Sequence, residues 1–388
     1  MKLDYYNCPK PEELNSKDLP KLPEFANYRP DFELIKKTAE EYKVYQNVLI
    51  IGHGGSITSN IGIYHALKHL TKRNAYFLST IDPDYIFELK QQLKPKDTLV
   101  IVISKSGENT TLIEMFSQFL DYTILVITGK TSPLREIGER LKLKIITHPP
   151  IGGRFTGLTE VALLPAEILG LDAKGLFQGA ETFYKLFNYD NLAWKSASVL
   201  WQLEQKGIVD VFMPIYSHNL FPISNLIMQL CHESFGKGGK GQTYLVSEAP
   251  ESQHHTNQRF FGGRKNICGF FVGSDSVLHA ETAIYPPSLY SVQIKNHALF
   301  DINKIPLSKS MEFEFNGTLE DARISGIPVI TLTITGYTPK EIGGLIAFWQ
   351  LFAVYSSVLR KVNPFDQPQV ENSKQISFSK RLAFKGLL

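Results

Sequence analysis

The sequence predicts an α/β protein built on mainly parallel sheets, and three observations carry that prediction. Short runs of consecutive apolar residues alternate with stretches of helical periodicity, this alternation occurs twice along the chain, and two turns rich in glycine and hydroxyl residues fall between an apolar run and the helix after it.

The first series has apolar runs at 48–51, 76–78, 99–103, 124–127 and 143–146. Such runs suit strands buried on both faces of a parallel sheet. Between them, Ile57, Ile61, Tyr64 and Leu70, and then Leu112, Ile113, Phe116 and Leu120, are spaced to line one side of a helix. A second series starts near Asp190, with strands expected at 208–213, 243–246, 267–272 and 329–334. Thr338-Pro339-Lys340-Glu341 joins a capping box to a proline at the first helical position, so a long helix is expected from there to about Lys361. A break follows at Asn363-Pro364-Phe365-Asp366-Gln367-Pro368, and then a last helix. The expected division is a helical or irregular leader over 1–45, a first α/β domain over 46–187, a second over 188–362, and a terminal loop and helix over 363–388.

Composition narrows the function. With 43% hydrophobic and 12% aromatic residues the 388-residue chain can fill sizeable cores. Forty-one Lys and Arg against 38 Asp and Glu leave +3, too even a balance for a protein that grips nucleic acid or an anionic membrane, so neither is an expected partner. Cys8, Cys231 and Cys268 are odd in number, far apart and without a ligand spacing, which points to a reducing, cytoplasmic setting and to no zinc site. No apolar run is expected to approach the roughly 18 residues of a membrane span.

Two turns look able to hold an anion. Gly52-His53-Gly54-Gly55-Ser56 follows a strand and precedes a helix, where glycines let backbone N–H groups come close to a ligand and the helix start adds partial positive charge. The same residues also serve as a plain tight turn. Ile57 takes the place of the last glycine of GxGxxG, so this is not a dinucleotide fingerprint. Ser104-Lys105-Ser106-Gly107-Glu108-Asn109-Thr110-Thr111 is similarly placed and offers neutral donors, though Ser, Thr and Asn also cap helices for structural reasons alone. Neither turn has nucleoside-triphosphate loop spacing, which leaves a monophosphate as the simpler guest.

These turns, with four later segments, resemble the phosphoglucose isomerase family of sugar isomerase domain proteins. The later segments are Gly152-Gly153-Arg154-Phe155, His232-Glu233-Ser234-Phe235-Gly236-Lys237, Gln253-His254-His255-Thr256-Asn257-Gln258, and the tail from Asn363 through Gln367, Val370 and Glu371 to Lys374. They occur in the family's order from Gly52 to Lys374. The resemblance implies two three-layer α-β-α sandwiches of sugar isomerase domain type plus a C-terminal helix. It also implies interconversion of glucose 6-phosphate and fructose 6-phosphate, as in glycolysis and gluconeogenesis, without cofactor or metal.

By the same likeness, Glu233 is the base that moves a proton between the first two sugar carbons, a task for a partly desolvated carboxylate. Arg154 stabilises the anionic enediolate, and His254 and Lys374 open the sugar ring. Gly55, Ser56, Ser104, Lys105, Ser106, Asn109, Thr110, Gly153 and Gln367 bind the substrate and its phosphate, Lys105 mainly through its backbone. The resemblance further implies a homodimer in which His254 reaches the site of the neighbouring subunit.

Some positions depart from the family. His53 stands where an apolar residue is usual, Phe235 where Asn is usual, and Gln369 where Gly is usual, which excludes a left-handed backbone there. Asn109 stands near a usual Thr. Read without the resemblance, Glu233 is an ordinary surface glutamate, Arg154 a solvated arginine, and His254 and Lys374 residues without special duty. Competing functions are an isomerase that also accepts mannose 6-phosphate, a non-catalytic sugar-phosphate sensor and a nucleotide-cofactor oxidoreductase. The tail segment argues against the first, the joint presence of Glu233, Arg154, His254 and Lys374 against the second, and the missing fingerprint glycine against the third.

Overall fold

The computed structural model describes residues 1–387. Its strands are β1 (Lys2–Tyr6), β2 (Asn47–Gly52), β3 (Asn74–Leu78), β4 (Thr98–Ser104), β5 (Thr123–Thr128), β6 (Lys144–Thr147), β7 (Asp210–Ile215), β8 (Thr243–Glu248), β9 (Ile267–Ser274), β10 (Gln293–Ile294), β11 (His297–Ala298) and β12 (Val329–Ile334). Every strand expected from the apolar runs is present within a few residues. Two compact units interleave along the chain: one contains Met1–Lys10, Leu203–Phe221 and Thr243–Tyr337, the other Pro11–Gln202, Pro222–Gln242 and Thr338–Leu388.

The larger unit is built on an all-parallel sheet in the order β3-β2-β4-β5-β6. Both faces are buried, as the unbroken apolar runs require. Leu49, Ile51, Val100, Val102 and Val126 point into one core layer with Leu89, Leu112, Met115, Phe116 and Leu134 from the helices covering that face. The alternating residues Val48, Ile50, Leu99, Ile101 and Ile103 are fully buried on the opposite face. The chain leaves β2 for β3 on one side and returns through β4 on the other. The order therefore reverses between β2 and β4, and in open α/β sheets ligands bind at such a switch point, beyond the carboxyl ends of the strands.

The smaller unit has the order β1-β12-β9-β7-β8, with β7, β8, β9 and β12 parallel. From β7 onward its winding is that of the larger unit. β1 lies antiparallel to β12, pairing Lys2 with Thr333 and Tyr6 with Val329. These residues fall in the leader expected to be helical or irregular, because a half-buried edge strand closely followed by Pro9 and Pro11 has no apolar run to announce it. The strands thus form two mainly parallel α/β sheets, and the chain ends in an exposed helix, Glu371–Phe384.

The helix expected after Thr338 runs over Pro339–Arg360, with the Thr338 hydroxyl accepting from Glu341 N–H at 3.2 Å. It corrects one expectation: it is long and apolar enough to cross a membrane. It is instead a core helix, buried from Ile342 to Ser357, because small residues spaced through it let other elements pack on all sides. Gly343, for example, faces the backbone of Leu176 so closely that a Cβ there would lie 1.8 Å from its carbonyl oxygen.

Within this core, Gln350 accepts from the Tyr184 hydroxyl and donates to the Phe155 carbonyl at 3.0 Å, all buried. Gln350→Leu strands both partners and is expected to lower unfolding stability by about 2–4 kcal/mol in urea titrations. A second check concerns His148, next to the end of β6. Its Nδ1 lies 2.6 Å from the Pro149 carbonyl, while its buried Nε2 has no partner among the described residues. Burial pushes its pKa from 6.5 down to about 4, with the Lys105 charge adding to the fall. Between those values the unfolded chain takes up a proton that the folded chain refuses. The unfolding temperature should therefore drop as pH falls from about 6.5 to about 4, and His148→Asn should make that drop shallower.

Candidate functional site

The site grows from the switch point of the larger unit. β2 ends at Gly52, and the turn that follows holds Gly54 at φ 51°, a left-handed conformation suited to glycine. Gly55 abuts the second glycine turn: a Cβ there would lie 2.0 Å from the Gly153 carbonyl and 2.4 Å from Arg154 N. Only a residue without a side chain allows this approach. It seats Arg154 beside the end of β2 although the two turns are about a hundred residues apart in sequence.

Arg154 is buried, its side chain 2% exposed, and every donor of its guanidinium is used. Nε donates to Ser234 Oγ at 3.0 Å. Nη1 donates to Glu233 Oε2 at 3.0 Å and to Gln367 Oε1 at 2.8 Å. Nη2 donates to the carbonyls of Pro364 and, at 3.0 Å, Asp366. Burial pulls its pKa down, while the charges of Glu233 and Asp366 oppose that pull. The Ser224–Phe235 helix brings Glu233 to this point, with its carboxylate 28% exposed. Gln229, one turn earlier on the same face, donates to Glu233 Oε1 at 3.0 Å and accepts from the Thr58 hydroxyl at 3.2 Å. Each carboxylate oxygen therefore has a fixed donor, and the group still meets solvent.

The tail loop is clamped from two directions. Lys237 Nζ donates to the Asn363 carbonyl, to the Asp366 carbonyl at 2.6 Å and to the Asp366 carboxylate, which holds that carboxyl below its usual range. Phe365 packs on Phe155 with ring centroids 5.4 Å apart. These contacts set Gln367 against Arg154. Gln369 sits in the right-handed turn Pro368–Val370, so its side chain causes no strain. Phe235 is fully buried beneath the Arg360 guanidinium, 4.7 Å from the ring centre, and fills core where the family's usual Asn would be polar.

The second turn is organised by its own side chains. Ser104 Oγ accepts from Gly107 N–H at 3.1 Å, Ser106 Oγ from Glu108 N–H at 3.4 Å, and Asn109 caps the following helix through Leu112 N–H at 3.2 Å. Thr110 opens that helix. Lys105 Nζ reaches the Pro150 carbonyl at 2.8 Å. Ser56 and Ser104 are nearly buried, whereas Ser106 is exposed. Lys374, on the exposed terminal helix, pairs with Glu371 at 2.8 Å, and its charge adds to the burial that lowers the pKa of His53.

Thus Gly55, Ser56, Gly153, Arg154, Glu233 and Gln367 come together in the larger unit, with Ser104 to Thr110 at the adjacent strand end and Lys374 on the terminal helix. His254 belongs to the smaller unit, exposed at the end of the short turn Glu251–His254. Sequence reasoning missed Gln229, Ser234, Thr111 and the Lys237 clamp. The four-residue spacing of Gln229 and Glu233 on one helix face was the available signal for Gln229; Ser234, Lys237 and Thr111 stand inside segments already singled out, and only their long-range partners could not be read locally. A cleft of about 560 Å3 opens beside Gly54 and is lined by His53, Thr58, Gln229, His232 and Glu233, a volume fit for a small polar ligand. Among the described residues, no cluster of His, Cys, Asp and Glu could hold a metal ion.

Comparison with known proteins identifies the family. Residues 34–119 match the family model described as phosphoglucose isomerase. The chain is 30% identical over 389 residues to the glucose-6-phosphate isomerase of Fusobacterium nucleatum, covering 91% of this chain and 84% of that protein. It is 26% identical to the glucose-6-phosphate isomerase of Methanocaldococcus jannaschii, covering 96% and 97%. Among solved structures, a hypothetical protein of Thermus thermophilus superposes with a TM-score of 0.82 at 26% identity, covering 92% of this chain and 89% of that one. A glucose-6-phosphate isomerase of Chlamydia trachomatis shares the fold with a TM-score of 0.75 at 18% identity, covering 92% and 73%. With a relative 30% identical over 91% of its length, the chain belongs to the phosphoglucose isomerase family.

Proposed function

We propose that this protein interconverts glucose 6-phosphate and fructose 6-phosphate through ring opening and an enediolate. The observation that carries the reading is the Glu233 carboxylate, held 3.0 Å from a fully engaged, buried arginine, in a cleft whose His53 is bonded to Thr111 of the hydroxyl-rich turn. A proton moving between adjacent sugar carbons needs a fixed carboxylate at one face and a fixed positive charge for the oxygen that becomes anionic. Glu233 and Arg154 have those chemistries. With every donor of Arg154 held by the protein, the arginine acts on that oxygen through its fixed charge, which needs no reorganisation.

Ser56, Ser104, Ser106, Asn109 and Thr110 hold the phosphate in this reading, with Gly55, Lys105 and Gly153 contributing backbone and Gln367 a side-chain amide. Binding energy collected at the phosphate orients the carbons at the other end of the sugar. Lys374 and His254 exchange protons with the sugar oxygens as the ring opens. His254 is supplied by a neighbouring subunit, so the working enzyme is at least a dimer.

Two measurements test this. Glu233→Gln keeps the shape and removes the base, so isomerisation of fructose 6-phosphate in a coupled assay should slow by about 10²- to 10⁴-fold with little change in KM. Unchanged turnover would exclude Glu233 as the base. His254→Ala should lower turnover of the cyclic sugar more than proton exchange on an open-chain substrate, whereas equal losses would remove the ring-opening role.

A further inference from the structure

His53 is the one side chain of the first turn without a part in the reaction above. Its Nε2 lies 2.8 Å from Thr111 Oγ1, and the surroundings of that hydroxyl decide which atom donates. Asn109 Oδ1 caps the helix by accepting Leu112 N–H, which identifies the oxygen of that amide. The Thr111 hydroxyl lies 2.6 Å from the same oxygen. An amide oxygen only accepts, so the Thr111 proton must go to Asn109. Thr111 Oγ1 therefore accepts from His53, and the imidazole proton sits on Nε2.

Nδ1 is left with a lone pair, and no described residue donates to it. Burial, helped by the Lys374 charge, keeps the ring's pKa below its usual value, so the lone pair persists at neutral pH. The ring lines the same cleft as Gln229 and Glu233. An unprotonated imidazole nitrogen only accepts hydrogen bonds. Of the groups on a sugar phosphate, an ionised phosphate oxygen and a carbonyl have no proton to offer, and only a hydroxyl can satisfy it.

We infer that His53 is a specificity residue whose Nδ1 accepts a hydrogen bond from one hydroxyl of the sugar phosphate, its ring held in the required tautomer by Thr111 and Asn109. The inference rests on the isomerase reading and adds a contact to it. A site built to receive a hydroxyl rejects the analogue lacking it, because the acceptor is then left unpaired.

The test is binding of fructose 6-phosphate and a set of its mono-deoxy derivatives, measured by calorimetry on the wild type and on His53→Leu, His53→Asn and His53→Gln. The wild type should bind one deoxy derivative about tenfold more weakly than the parent. His53→Leu should bind the parent about tenfold more weakly and lose the discrimination against that one derivative alone, while inorganic phosphate binds as before. His53→Asn, whose Oδ1 can stand where Nδ1 stood, should recover part of it. His53→Gln cannot serve Thr111 and the sugar together and should resemble Leu, which keeps the comparison available if the leucine variant fails to fold. Discrimination unchanged in His53→Leu or His53→Gln would overturn the role of His53. Tight binding of fructose 6-phosphate by the wild type without turnover would overturn the isomerase reading instead and leave this comparison intact.

Discussion

The arrangement depends on one buried cation. A guanidinium taken out of water is costly unless each of its donors finds an acceptor, and Arg154 meets that demand with Glu233, Ser234, Gln367 and two carbonyls of the tail loop. The partners come from a core helix and from the chain's last loop. Satisfying the arginine thereby assembles the site, because no subset of these groups completes its bonding. Glu233 meets the arginine from the edge of the cleft and stays partly exposed while Arg154 is buried.

The arginine in turn depends on backbone proximity. The order of strands reverses between β2 and β4, so the turns after both strands face one crevice, and Gly55 lets the Gly153 turn press against the first of them. This is the physical reason Gly55 is a glycine: a side chain there would separate the first turn from the turn that carries Arg154. The hydroxyl and amide groups of the second turn bond mainly to their own backbone. That leaves the loop's shape set before any ligand arrives, which reduces the entropy lost on binding. Thr111 extends this order to His53 and so fixes a proton on one side of an imidazole ring.

Much of this was legible in the sequence because it is local. Unbroken apolar runs announced β2, β4 and β5 through the demand of a doubly covered sheet, and Thr338-Pro339 announced the start of a long helix through capping chemistry. The glycine and hydroxyl turns stood out because few other sequences let a backbone approach an anion. β1 did not, since a short edge strand takes its identity from the strand it pairs with. The apolarity of Pro339–Arg360 was underestimated, because Gly343, Gly344, Gln350, Ser356 and Ser357 break its apolar residues into short runs although the helix as a whole is apolar enough to cross a membrane.

By itself, then, the sequence determined the alternation of strands and helices and the positions of the glycine- and hydroxyl-rich turns, which follow from spacings of a few residues, while the family entered through the likeness of whole segments. The tertiary structure alone decided that Arg154 would hold Glu233 and Gln367, residues 79 and 213 positions away. It also decided that Gln229 and Lys237 would brace them and that His53 would keep its proton on Nε2. Those outcomes depend on which groups a folded core excludes from water, and that exclusion is a property of packing between distant segments rather than of any stretch of chain.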